Sequence, residues 1–164
     1  GGGGGVGVGA DYLIDQRRSE FANNEQRMNS YIADIEQDSA GLEKYMGNVR
    51  QVVRKNQRQL AQIEQDIKTK SGDERARAQE LATMRANQAS LTETLADLDG
   101  RIATYQNVAE EESTIGVTSA RMLQELTQLE RQRDELRRYL EQTYAAVPSF
   151  QDQQASLPLR LGQV

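Results

Sequence analysis

The chain has 164 residues, of which 37% are hydrophobic, 5% aromatic and 27% charged, with a formal net charge of −5 from 25 acids and 20 bases. So few aromatics cannot fill a wide core and point instead to a narrow seam between helices. With 0 His and 0 Cys, disulfides, thiol nucleophiles, common zinc sites and imidazole bases are excluded.

The interspersed charges do not form the clustered basic footprint of a nucleic-acid binder. The densest basic stretch, Arg50, Arg54, Lys55 and Arg58, spreads round a helix and reads as a solvated face. Arg131, Arg133, Arg137 and Arg138, interrupted by Asp134 and Glu135, read the same way. No stretch approaches the ~20 apolar residues of a membrane-spanning helix.

Residues 1–10, GGGGGVGVGA, are too glycine-rich for a water-exposed helix, each Gly costing roughly 1 kcal/mol relative to Ala. They are expected to form a flexible tether. Alternatively, Gly1, Gly5 and Gly9 carry the four-residue spacing that lets helices pack closely in lipid, with Tyr12 beside them.

From Asp11, a candidate N-cap, a helix is predicted over 11–70. Its heptad row is Ile14, Phe21, Met28, Ile35, Leu42, Val49, Asn56 and Ile63, partnered by Ile32, Met46, Val53, Leu60 and Ile67 as the second row of a coiled-coil seam. Ser71, Gly72 and Asp73 then form a turn: Gly72 suits a left-handed backbone, and Ser71 with Glu74 reads as a capping box.

The next helix, over 72–112, carries its own seam: Leu81, Met84, Gln88, Leu91, Leu95, Leu98, Ile102, Tyr105 and Ala109. So short a reversal predicts an antiparallel hairpin in which partner residues have numbers summing to about 144. Asn56 then falls opposite Gln88, and two facing amides satisfy each other in one register only, which makes them the candidate register-setting pair. Tyr105 likewise falls opposite Ser39.

Around residues 113–118 a β-branched, polar stretch with Gly116 interrupts the pattern, predicting a kink or break. The seam resumes over 117–147 as Met122, Leu126, Leu129, Arg133, Leu136 and Leu140. Because the hairpin arithmetic exhausts the first helix at about residue 130, this segment is surplus. A kinked continuation is the favoured path, a fold-back or pairing with another chain the alternatives. Met122, Leu126, Leu129, Leu136 and Leu140 are therefore the candidate partner or self-association residues. Val147 and Pro148 end the helix, and residues 148–164 form an extended tail in which Leu157, Leu159 and Leu161 share one side and suit docking along a groove or sheet edge.

Acid pairs such as Asp34 with Asp38, or Glu125 with Glu130, lie on helix faces. A seam about 10 Å thick gives them no cleft in which their pKa values would separate for catalysis. Neither a phosphate-cradling Gly loop nor a di-metal Glu-x-x-His pattern is present. No catalytic residue, cofactor, metal, nucleic acid or small-molecule substrate is expected.

The segment Gly5 to Gln16 resembles the end of the glycine-zipper segment of bacterial envelope lipoproteins, including relatives of outer-membrane-protein-A-like lipoproteins. Gly9, Tyr12, Asp15 and Gln16 match its Gly-Tyr-x-Met-Asp-x-Gln-like sequence. The glycine stretch is shorter than in that family, and Asp11 interrupts the tyrosine spacing. The resemblance implies export to the periplasm and a lipid anchor on a Cys just before Gly1.

The expected protein is thus an all-α, long antiparallel helical hairpin, with its turn roughly 85 to 90 Å from the N-terminus. It would be a structural or adaptor component of a cell-envelope assembly, a spacer and docking rod whose partners are other envelope proteins or copies of itself. The alternatives are a membrane-active oligomer using the Gly-rich N-terminus, or a soluble cytoplasmic coiled-coil scaffold.

Overall fold

The computed structural model describes residues 6–156. In chain order they form α1 (Val6–Glu20), α2 (Asn24–Thr69), α3 (Glu74–Thr114), α4 (Ala120–Gln142), a 3-10 turn (Tyr144–Ala146) and α5 (Val147–Ser156). No strand occurs among the described residues, so the all-helical class predicted from composition and spacing is the one adopted.

The connections have local causes. Between α1 and α2, the Asn23 side chain accepts hydrogen bonds from the backbone N–H groups of Glu25 (2.8 Å) and Gln26 (3.1 Å), which makes it an N-cap and starts a new helix. The helix predicted over 11–70 is therefore interrupted at residues 21–23, and Asp11 lies inside α1 rather than at its cap. Part of the predicted tether is helical as well, since α1 begins at Val6. Gly1 and Gly5 lie outside the described residues.

At the end of α2, Ser71 N–H bonds to Asp66 O (2.9 Å) and Lys70 N–H to Ile67 O (3.3 Å), with Lys70 at φ 52°. This is a Schellman ending with a non-glycine residue in the left-handed position. Gly72 follows at φ 83°. The cap of α3 is Asp73, whose carboxylate accepts from Arg75 N–H and Ala76 N–H, rather than the predicted Ser71.

The same motif closes α3: Val117 N–H bonds to Glu112 O (2.9 Å), Gly116 N–H bonds to Ser113 O (3.0 Å), and Gly116 stands at φ 79°. Ser119 then caps α4 through Met122 N–H at 3.2 Å. Pro148 sits in the first turn of α5, where its missing N–H is harmless. The chain thus stays helical to Ser156 over part of the segment expected to be extended.

The chain divides into two units, Gly1–Gly47 with Glu93–Leu136, and Asn48–Thr92 with Arg137–Val164. In the first, Asp38 meets Arg101 and Tyr105, Tyr45 meets Thr94, and Arg27 meets Glu112. Residue numbers rise along α2 as they fall along α3. α1 lies against both, through Arg17–Asp34 at 2.7 Å and through Gly9, where an added Cβ would stand 3.6 Å from Thr104.

The part of α4 up to Leu136 also packs within this unit. Arg121 reaches Glu36, Gln132 reaches Ser39 and Glu43, and Arg133 reaches Asp99. The chain therefore reverses after α3, in place of the favoured kinked continuation. The two-part hydrogen-bonded ending at Gly116 and the fresh cap at Ser119 permit that reversal.

In the second unit, Leu60, Ile63, Leu81, Met84 and Leu91 are buried together with Tyr144 and Val147. Across the chain the predicted seam is largely interior: Ile14, Met28, Ile35, Leu42, Leu95, Leu98 and Ile102 are all buried. Each such side chain contributes about 1.5–3 kcal/mol.

Candidate functional site

Polar side chains interrupt the apolar seams at definite levels. In the first unit, Arg27 and Glu112 are buried and joined by two hydrogen bonds, Nε to Oε1 at 3.1 Å and Nη2 to Oε2 at 2.6 Å. Arg18 adds a weaker contact to the same carboxylate at 3.5 Å. The heptad spacing brings Arg27 inward beside Met28, and Glu112 arrives on the last turn of α3.

Hydrogen bonding to Glu112 holds the Arg27 guanidinium still more firmly protonated. Burial, and then the charge of Glu112, push the neighbouring Tyr31 phenol up to about 12. The Tyr31 hydroxyl has no hydrogen-bond partner among the described residues.

Two levels along, Tyr105 donates its hydroxyl proton to Asp38, and Arg101 bonds to the same carboxylate with both Nε and Nη2. Burial, followed by this hydrogen bond and the carboxylate charge, pushes the Tyr105 phenol upward. The phenol therefore stays protonated at neutral pH and serves as a donor, neither a base nor a nucleophile. This triad lines an open groove of about 840 Å³ together with Leu42, Tyr45 and Asp97.

A second concavity, of about 410 Å³, lies between α3 and α4. Met28, Ala109, Met122 and Leu126 give it an apolar lining, and Glu110 and Glu130 stand at its sides. Leu123, on its wall, is 54% exposed, and Ile115 in the adjoining turn is 55% exposed.

In the second unit the buried Asn56 accepts hydrogen bonds from the Tyr144 hydroxyl at 2.6 Å and from Asn87 Nδ2 at 3.2 Å, and donates to Gln59 at 2.9 Å. Its partner across the helices is thus Asn87, one residue from the predicted Gln88. Gln88 instead accepts from Arg85 on its own helix. Nearer the turn, Arg77 is buried with Nη1 donating to Ser71 O at 2.6 Å and Nε to Gln154 at 3.0 Å.

The other predicted site residues are distributed as follows. Ser71, Gly72 and Asp73 form the exposed connection between α2 and α3. Met122, Leu126, Leu129 and Leu136 are buried within their own chain, and Leu140 is half-buried. Gly9 is half-buried and Tyr12 exposed. Leu157, Leu159 and Leu161 lie outside the described residues.

Gln132, which the heptad rows do not include, is buried; its side-chain oxygen accepts from Ser39 Oγ at 2.9 Å and its amide nitrogen donates to Ser39 O at 3.1 Å. Arg27, Glu112 and Gln132 do not stand out in the sequence, because charged and amide residues beside a seam ordinarily face water. The usable signals were Asn23-x-x-Gln26, a capping-box pattern that starts α2, and the position of Gln132 within one turn of Leu129 and Leu136.

Neither a known protein family, nor a curated protein, nor a solved structure matches the chain. Among the described residues no helix is long and apolar enough to cross a membrane, and no acidic cluster has the arrangement of a metal site.

Proposed function

We propose that this chain is a non-enzymatic structural or adaptor component of a bacterial cell-envelope assembly, a helical spacer with docking surfaces, held as a lipoprotein in the periplasm at the outer membrane. α2 and α3 form an antiparallel coiled-coil hairpin, and α4 folds back along it as a third strand of the bundle.

The observation that carries this is how the apolar and ionisable residues are used. Within each unit the seam residues of successive helices are buried against one another, and the interior charges are tied into local pairs such as Arg27–Glu112. Such an interior stiffens a helical support; it does not hold a reactive group poised in a cleft. The pairing of falling with rising residue numbers supports the hairpin, and the resemblance of Gly5 to Gln16 supports the envelope location. The burial of Ala10 and Ile14 weighs against a membrane-active N-terminus, since α1 spends its apolar residues inside the first unit.

The decisive experiment follows the full-length protein in its own bacterium with radiolabelled palmitate and membrane fractionation. Label on the protein and recovery with the outer membrane are expected. An unlabelled protein recovered with the cytoplasmic fraction would rule the envelope reading out and leave a cytoplasmic scaffold.

A further inference from the structure

The charge of this chain is segregated between its two units. The first carries 8 Lys and Arg against 18 Asp and Glu, a net −10, whereas the second carries 12 against 7, a net +5. The modest overall −5 conceals this division.

On the acidic unit, the cleft between α3 and α4 has an apolar lining that includes Met28, Met122 and Leu126, with Leu123 turned outward. Its flanking acids Glu110 and Glu130, and Glu111 beside them, form no ion pair among the described residues. Methionine-lined clefts adapt to the shape of what they receive. A cleft whose floor is buried Met28, Met122 and Leu126, whose exposed apolar side chain is Leu123 and whose edge carries unneutralised acids fits an apolar side chain flanked by cations.

The basic unit carries that counterpart. On α2, Val52 is 40% exposed with Lys55 one turn on at its side, and Arg58 and Arg54 follow further round the exposed half of the helix. These three cations are exposed and form no ion pair among the described residues.

We propose that the acidic cleft of the first unit docks the Val52–Lys55 face of α2 from a second copy of this chain, giving a head-to-tail contact. The contact is heterologous: each copy offers one surface of each kind, so association either closes into a ring or continues as a chain. It goes beyond the envelope reading and holds for a scaffold in any compartment.

Sedimentation velocity of the full chain tests it, from about 0.02 M to about 0.3 M salt, a range over which the screening length falls from roughly 20 Å to about 6 Å. Concentration-dependent association that weakens as salt rises is expected. The triple variant Arg54→Glu, Lys55→Glu, Arg58→Glu, the double variant Glu110→Lys, Glu130→Lys, and Leu123→Ser should each raise the dissociation constant at least about tenfold. Mixing the triple with the double variant should restore association. All substitutions are at exposed or half-buried positions, and circular dichroism checks that the helices persist. A chain that remains monomeric at low salt, or that associates equally well in the charge-reversed or Leu123→Ser variants, overturns the proposal.

Discussion

Arg27 and Glu112 are buried so completely that neither has water to fall back on. Their mutual charge and two hydrogen bonds offset a desolvation penalty of several kcal/mol per ion. Glu112→Gln leaves the guanidinium buried without a countercharge and is expected to lower unfolding stability by about 3–5 kcal/mol, whereas replacing both residues with Leu should be close to neutral. Urea denaturation distinguishes the two.

Tyr31 behaves oppositely. Its buried hydroxyl lacks a partner among the described residues, so Tyr31→Phe is expected to leave stability at neutral pH unchanged or to raise it by up to ~1 kcal/mol. Because the folded-state pKa is raised to about 12, from roughly 10 in an unfolded chain, the contribution of the phenol is intact below the unfolded value. It is lost as pH rises through the folded one. Denaturation at neutral and strongly alkaline pH should therefore show a smaller alkaline loss in Tyr31→Phe than in the parent protein. None of this was legible in the heptads, because burial of a charged residue depends on what arrives from distant helices.

At the scale of the helix, the glycines separate into two kinds. Gly41, Gly47 and Gly100 lie inside helices, and a Cβ at each would meet nothing within 4 Å. Changing each to Ala is expected to raise stability by roughly 0.5–1 kcal/mol. Gly72 is different: it stands at φ +83°, and a Cβ would fall 2.6 Å from Asp66 Oδ2 and 2.8 Å from Arg77 Nη1. Gly72→Ala should lower stability by more than about 1 kcal/mol and disturb the Arg77 contact to Ser71 O. Thermal unfolding followed by circular dichroism measures both sets.

The turn at 71–73 was legible from its residue types. The break at 21–23 was equally encoded, in Asn23 and Gln26, but the uninterrupted apolar row running past it concealed the cap. Asn56 shows the limit of register arithmetic. Its burial was predictable from spacing, but Asn87 and Tyr144 were selected over Gln88 by a helix rotation of about 100° per residue.

At the scale of the molecule, the consequential finding is the use made of the segment that seemed surplus. Met122, Leu126, Leu129 and Leu136 are buried, each contributing about 1.5–3 kcal/mol, and they cover faces that would otherwise be exposed. Truncation after Ser119 is expected to lower the unfolding temperature and to make the remaining helices associate. Light scattering and melting curves check this. Such association would be hydrophobic and would persist or strengthen with salt, unlike the docking proposed for the intact chain.

The spacing of apolar residues determined by itself that the chain is helical, which positions are interior, and that α2 must stop near Gly72. It did so because helix periodicity and turn chemistry are local properties of the residues involved. Only the tertiary structure decided that α1 and α4 fold back onto their own chain, which amides pair, and that Arg27, Glu112 and Gln132 are buried. An apolar stripe specifies that it must be covered, and the covering surface is chosen by the competition among all the helices at once.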